Sequence, residues 1–111
     1  MGVTKTDLFT AEQNTLAQLA KAMAHPARIA ILQYLLASNS CVNGTLVQEL
    51  GLAQATISQH LRELKDIGLI KGTIEGVSVN YCIHAGNWEK VKGLFNGLFD
   101  QYAAACGDKC C

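Results

Sequence analysis

The sequence predicts a mainly α-helical fold with one small β-hairpin, and three observations support this prediction. Apolar residues recur at helical spacing between positions 8 and 67 of the 111-residue chain. Two runs rich in β-branched and aromatic residues follow, separated by Glu75-Gly76, a pair typical of a hairpin turn. A last amphipathic run comes after Asn87. Four helices, a hairpin and a closing helix (α-α-α-α-β-β-α) are the order of a winged helix-turn-helix, so we expect residues 1–111 to form a single domain of this type.

Each of the four helices before the hairpin has its own sequence signal. Residues 8–23 carry apolar side chains at helical spacing, and Pro26 begins a second helix because its missing N–H is unpaired in a first turn anyway. Thr45 and Gln48 have the spacing of a capping box, which predicts a short third helix. A fourth helix is predicted over residues 54–67, where apolar and polar positions divide into two faces.

The hairpin and the last helix complete the predicted domain. The strands are expected over residues 69–74 and 77–83, because alternating β-branched and aromatic residues favour a strand. The last helix has a long apolar face, formed by Trp88, Val91, Leu94, Phe95, Leu98, Phe99 and Tyr102. A C-terminal tail of about residues 104–111 follows it and contains three cysteines.

Composition limits the location and the partners of the protein. Lys21, His25 and Arg28 interrupt the longest apolar stretch, so no membrane span is predicted. The first seven residues lack the basic and then apolar layout of a signal peptide, and we therefore expect a cytoplasmic protein. The nine basic and nine acidic residues cancel, so affinity for nucleic acid has to come from a local patch.

The sequence lacks the motifs that would indicate an enzyme. It has no Cys-x-x-Cys pair, no glycine-rich phosphate loop and no His-Glu-x-x-His motif. A phosphatase-type reductase needs an Arg six positions after its cysteine, and the residue six positions after Cys41 is Val47. We therefore expect a binding protein. DNA is the partner we favour, and a winged helix that docks onto another protein is the alternative.

The predicted fourth helix has a polar outer face that suits contact with DNA. Only the first turns of a recognition helix normally enter the major groove, so the residues expected at base edges are Gln54, Thr56, Ser58 and Gln59. Arg62 and Lys65 come later in the helix and are expected to contact phosphates. The alternative is a polar face that is only solvated. His60 lies beside the buried face and is interpreted as a packing residue.

Two motifs in the chain resemble those of the ArsR/SmtB family of metal-sensing repressors. The first is AMAHPARIAIL at residues 22–32, and the second is LAQATISQHL at residues 52–61, followed by Leu64 and Gly68-Leu69-Ile70. The resemblance covers about residues 15–100. It implies a homodimer through the first and last helices, and a repressor that leaves its operator DNA when an inducer binds. The chain departs from the family pattern at Ala53, where Ser is common, and at Gln59, where Arg or Lys is common.

Cysteines near the C-terminus are the predicted sensor. Cys106 and Cys110 are four positions apart, so a continuing helix would place them on one face, and Cys111 is adjacent. Three thiolates without a neighbouring His or carboxylate cluster suit a soft ion. The expected inducer is therefore As(III) or Sb(III), bound in a three-sulfur site, with no permanent cofactor. This pattern resembles the arsenic-sensing members of the family.

Two other interpretations of the cysteines stay open. A thiol-redox or persulfide sensor would use Cys41 with Cys106, because some relatives carry one cysteine before the third helix and one on the last helix. A cysteine near a helix N-terminus has a lowered pKa, which would favour such a role for Cys41. The tail cysteines could instead have no ligand, since chain ends are often mobile. Cys82 alternates with apolar strand residues and is interpreted as a packing residue.

Overall fold

The computed structural model describes residues 8–38, 40–44, 50–76 and 78–105. Four helices and three short strands occur within these ranges. In chain order they are α1 (Ala11–Met23), α2 (Pro26–Ser38), β1 (Val42–Asn43), α3 (Gln54–Asp66), β2 (Ile70–Glu75), β3 (Ser78–Ile83) and α4 (Ala85–Ala105). The winged helix-turn-helix prediction is confirmed. The short helix predicted from Thr45 lies mainly outside the described residues, as does the tail from Cys106 onward.

The start of α1 is three residues later than the sequence predicts, because a capping box fixes it. The Thr10 hydroxyl oxygen accepts a hydrogen bond from the Gln13 backbone N–H at 3.0 Å. In return, the Thr10 backbone N–H donates to Gln13 Oε1, also at 3.0 Å. These two bonds satisfy donors that an uncapped first turn leaves free. Leu8 lies in the predicted helix but precedes the observed one, and it is 70% exposed.

The start of α4 also differs from the prediction, and His84 explains the difference. The helix begins at Ala85, before Asn87, and the Trp88 N–H donates to the His84 carbonyl oxygen at 2.8 Å. The Asn87 N–H donates to His84 Nδ1 at 3.2 Å, so the imidazole caps the first turn. Histidine is not a common capping residue, so this boundary has no capping signal in the sequence.

A third strand, which the sequence did not predict, joins the hairpin. The sheet has the order β1-β3-β2 and is antiparallel throughout. Val42 lies opposite Tyr81 and Asn43 opposite Asn80, so β1 covers one edge of β3. The predicted turn at Gly76 is confirmed, since its φ of 63° lies in the left-handed region that favours glycine. The wing is thereby tied to the segment that follows α2.

The hydrophobic core lies where the helices meet the sheet and fixes the orientation of α3. Its buried members are Leu19, Ile31, Leu32, Leu35, Val42, Ile57, Leu61, Leu64, Leu69 and Ile70. On α2, Ile31 is fully buried, whereas Ile29 and Leu36 are exposed. No helix in the described part of the chain is long and apolar enough to cross a membrane.

Candidate nucleic-acid interface

The polar face of α3 points away from the core, as the DNA-binding prediction requires. Five of the six predicted contact residues are exposed and Ser58 is half-buried, the exposed ones being Gln54, Thr56, Gln59, Arg62 and Lys65. The opposite face is buried through Ile57, His60, Leu61 and Leu64. The helix therefore separates a packing face from a solvent-facing row of amides, hydroxyls and cations.

The N-cap residue of α3 provides no capping side chain. Ala53 occupies the N-cap with an extended backbone, and its methyl group makes no side-chain cap. The first-turn N–H groups and the positive end of the helix dipole at a helix N-terminus favour a negatively charged partner. Beside it, Gln54 Nε2 donates to Ser58 Oγ at 2.9 Å, so these two side chains are held on one side of the helix. This end of the helix suits an approach by phosphate.

Arg28 on α2 holds α3 in place, and sequence reasoning missed this role. Its Nε donates to His60 Nδ1 at 3.0 Å and its Nη1 donates to the Ala22 carbonyl oxygen at 2.8 Å. Its Nη2 forms an ion pair with Glu63. One guanidinium thus joins the end of α1, the start of α2 and the middle of α3. Because its partner on α3 lies 32 positions away, no local pattern could have indicated it.

His60 is a packing residue, as predicted, and it accepts rather than donates at Nδ1. It is 7% exposed and its ring centroid lies 4.5 Å from that of His25. Burial lowers the pKa of His60, and the neighbouring His25 and Arg28 lower it further. The ring is therefore neutral, with its proton on Nε2, which leaves Nδ1 free to accept from Arg28.

Replacing Arg28 with Met should destabilise the protein by about 2–3 kcal/mol, because His60 Nδ1 and the Ala22 carbonyl oxygen lose their donor. Glu63 is 45% exposed, so the ion pair itself contributes little to this figure. Urea unfolding followed by circular dichroism measures the change. The matched control is Lys90→Met, an exposed cation on α4, which should shift stability by less than about 0.5 kcal/mol. Equal losses in the two variants would contradict the proposed role of Arg28.

The wing offers a second surface next to α3. Lys71 and Thr73 of β2 are exposed, and Ile74 near the turn is 76% exposed. Val77 follows the turn at Gly76 and lies outside the described residues. A cation and a hydroxyl on one strand suit contact with a phosphate backbone. The wing can therefore extend the candidate DNA-binding surface of α3.

Cys82 is 8% exposed, as its interpretation as a packing residue requires, and it is also joined to Cys41 by a disulfide bond. The two Cα atoms are 4.3 Å apart, the spacing of directly opposite residues in a non-hydrogen-bonded antiparallel pair. The predicted sensor residues are Cys106, Cys110 and Cys111, and all three lie outside the described residues. The predicted pairing of Cys41 with Cys106 is therefore untested by the structure. No group of three or more potential metal ligands occurs in the described part of the chain.

An exposed apolar face runs along the second half of α4. Leu98, Phe99 and Tyr102 are 47%, 65% and 55% exposed. The segment before α1 adds Leu8 at 70% and Phe9 at 51%, and α1 packs against α4. Phe95 and Phe99 stack with ring centroids 6.2 Å apart. Exposed large apolar side chains of this kind are typical of an interaction surface.

Comparison with known proteins gives the chain a family. Residues 25–71 match the model of the "Bacterial regulatory protein, arsR family". CmtR, an HTH-type transcriptional regulator of Mycobacterium tuberculosis, is 39% identical over 71 residues, which are 64% of this chain and 59% of CmtR. The chain thus matches about three fifths of the length of that relative.

Two solved structures share the fold. Reduced HlyU from Vibrio cholerae is 30% identical, with a TM-score of 0.62, and the match covers 81% of this chain and 90% of HlyU. The solution structure of Mb0332 from Mycobacterium bovis, described as a homodimeric winged helix-turn-helix DNA-binding domain, is 23% identical. Its TM-score is 0.63, and 92% of each chain is covered. The family model and the similarity to HlyU establish that the chain belongs to the ArsR family of bacterial regulatory proteins, a family of regulators and not of enzymes.

Proposed function

We propose that the protein is a homodimeric transcriptional repressor that binds double-stranded operator DNA through α3. The observation that carries this proposal is the division of α3 into a buried face and an exposed row of Gln54, Thr56, Gln59, Arg62 and Lys65. Glutamine amides pair with adenine edges in the major groove, and cations contact phosphates. Membership of a family of regulatory proteins supports the same conclusion.

The second subunit is proposed to cover the apolar face of α4. A helix that leaves Leu98, Phe99 and Tyr102 exposed gains free energy when an identical face buries them. The homodimeric description of Mb0332 supports this choice of partner. A two-fold dimer would present two copies of α3 to two half-sites of an operator, about one helical turn of DNA apart.

The proposed inducer is As(III) or Sb(III), bound by Cys106, Cys110 and Cys111. The support is chemical: three thiolates form the pyramidal sulfur set that a trivalent metalloid takes, whereas zinc usually needs a fourth ligand. In the sequence, Cys106 directly follows α4, which ends at Ala105. Metalloid binding next to the helix of the proposed dimer would alter how the two subunits, and hence the two α3 helices, are spaced.

Arsenite should raise the operator Kd of the reduced protein by about 10-fold or more, within the range of known allosteric couplings. Fluorescence anisotropy with DNA from upstream of the gene measures the release. The matched variant Cys106→Ser/Cys110→Ser/Cys111→Ser should bind DNA as tightly and show no release. Release that persists in this variant would refute the tail site. Tight binding that arsenite leaves unchanged in both proteins would refute the metalloid as inducer while keeping the repressor.

Thiol-redox control is the second candidate, and the Cys41–Cys82 disulfide favours it. The redox interpretation of the sequence pairs Cys41 with Cys106, whereas Cys41 is bonded to Cys82 in the structure. A related regulator, HlyU, has been obtained in a form described as reduced. Operator affinity measured with and without a dithiol reductant tests this candidate, because the metalloid hypothesis expects no difference when arsenite is absent.

A further inference from the structure

We propose that Cys41 and Cys82 form a thiol–disulfide exchange site for small disulfides. Cys41 reacts first with the small disulfide, and Cys82 then resolves the mixed disulfide that results. The pair lies at the junction of β1 and β3, apart from the exposed face of α3. The site takes a low-molecular-weight disulfide as its oxidant. It differs from the proposed metalloid site in the tail and shares no residue with it.

The sheet register places the two cysteines opposite each other. Val42 pairs with Tyr81 and Asn43 with Asn80, so continuing the ladder by one residue sets Cys41 against Cys82. Their Cα atoms are 4.3 Å apart, which is close to the spacing of opposite residues in a non-hydrogen-bonded pair. The backbone therefore holds both sulfurs within bonding reach whenever β1 is paired, and the bond needs no rearrangement of the fold to form.

The two cysteines differ in exposure, which assigns their roles. Cys41 is exposed, whereas Cys82 is only 8% exposed. An open pocket of about 370 Å³ borders both, with Leu35, Ile83 and Trp88 among its lining residues. A small disulfide can reach the Cys41 sulfur from solvent, and the pocket gives its organic group a place to lie. Cys82 is shielded from the first attack but is in position for the second.

The environment in which a DNA-binding regulator works indicates that the Cys41–Cys82 disulfide forms and is reduced reversibly. This step rests on the proposed function, because a protein that binds chromosomal DNA works where thiols are kept reduced. Disulfides in such a compartment are usually transient and are catalytic or redox-sensing. An exposed bond is also the kind that small thiols reach. The bond is therefore better explained as one state of an exchange site than as a permanent link.

The exchange proceeds in two balanced steps. The Cys41 thiolate attacks one sulfur of a small disulfide RSSR, the S–S bond of RSSR breaks, and RS⁻ leaves and takes up a proton. Cys41 is then in a mixed disulfide with R. The Cys82 thiolate attacks the Cys41 sulfur, the second RS⁻ leaves and is protonated, and the Cys41–Cys82 bond forms. Two electrons pass from the two cysteines to RSSR, which ends as two thiols.

Closing the bond restrains the connection between the wing and α4. Cys82 is the penultimate residue of β3, and only His84 separates that strand from α4. The His84 N–H donates to the Leu69 carbonyl oxygen at 3.1 Å, so this connection is already anchored on its other side. The bond adds a covalent anchor to the segment after α2. The redox state of the pair therefore affects how the wing and α4 are restrained. These are the two elements that the proposed function assigns to DNA contact and to the dimer.

The test uses the full chain with Cys106, Cys110 and Cys111 replaced by Ser, so that Cys41 and Cys82 are its remaining thiols. Two further variants add Cys41→Ser or Cys82→Ser. Each reduced protein is treated with 2-hydroxyethyl disulfide and followed by intact-mass spectrometry. The two-cysteine protein should end with an internal bond and no adduct. The Cys82→Ser variant should accumulate a stable mixed disulfide, about 10-fold faster than the Cys41→Ser variant, because access limits the rate.

A second measurement covers the case in which Cys82→Ser fails to fold. Brief alkylation of the reduced two-cysteine protein, followed by peptide mapping, should label Cys41 about 10-fold faster than Cys82. Equal labelling, faster labelling of Cys82, or a stable adduct on the two-cysteine protein would overturn the assigned roles. Operator Kd values of the bonded and reduced forms should differ by about 5-fold or more. Equal Kd values would overturn the regulatory consequence alone, and an absence of DNA binding in both forms would point instead to a failure of the proposed function.

Discussion

Replacing Gln54 and Gln59 together with Ala is expected to raise the operator Kd by about 100-fold, because each amide that reads a base contributes about 1–3 kcal/mol. Both side chains are exposed on α3, and neither belongs to the core. The fold should therefore survive the change. Fluorescence anisotropy at one fixed salt concentration measures the Kd for operator and for unrelated DNA. Binding to unrelated DNA should change little, since it depends on phosphate contacts.

The matched control for this pair is Gln18→Ala/Gln33→Ala. Both glutamines are exposed on helices other than α3, one on α1 and one on α2. The control should keep the operator Kd of the parent protein. If both double variants lost operator affinity equally, α3 would not be the element that reads the sequence. If the α3 variant lost affinity for operator and unrelated DNA alike, its glutamines would contact phosphates and not bases.

Replacing Phe99 with Glu is expected to raise the dimer dissociation constant by about 100-fold. Phe99 is 65% exposed and stacks on Phe95, so in the proposed dimer it becomes a buried aromatic anchor. A carboxylate at that position would be buried without a partner. Sedimentation velocity over a range of concentrations measures the dissociation. Operator affinity should fall in parallel, since one subunit contacts one half-site.

Gln101→Glu is the control for this second prediction. It adds the same charge two positions further along α4, about 200° around the helix from Phe99. Gln101 is exposed and lies away from the Phe95–Phe99 stack. The control should remain a dimer at concentrations where Phe99→Glu is a monomer. Dissociation in both variants would indicate a general effect of charge, and dissociation in neither would move the dimer interface to another surface.

The sequence was most informative where amphipathic periodicity is strong. The division of α3 follows from apolar residues at helical spacing, and the structure buries Ile57, Leu61 and Leu64 while exposing Gln54 and Gln59. The hairpin turn at Gly76 was predicted for a similar reason, because its positive φ suits glycine. These features depend on neighbours along the chain, which a sequence displays directly.

Contacts between distant positions were not predicted. The disulfide joins residues 41 positions apart and depends on β1, a strand of two residues that is too short to show an alternating pattern. The Arg28–His60 hydrogen bond spans 32 positions and depends on the angle at which α2 crosses α3. A charged residue two positions after Pro26 gives no local sign that it links three helices. Such features follow from tertiary packing, so a single sequence contains no local signal for them.

The protein is proposed to be a sequence-specific DNA-binding regulator, and one titration tests this most directly. Reduced protein is titrated by anisotropy onto DNA from immediately upstream of its gene and onto a shuffled copy of that DNA, at several salt concentrations. We predict at least about a 1,000-fold preference for the upstream DNA at physiological salt. We also predict that log Kd for the shuffled DNA rises linearly with log salt concentration. Equal affinity for the two DNAs, or no binding to either, would contradict the claim.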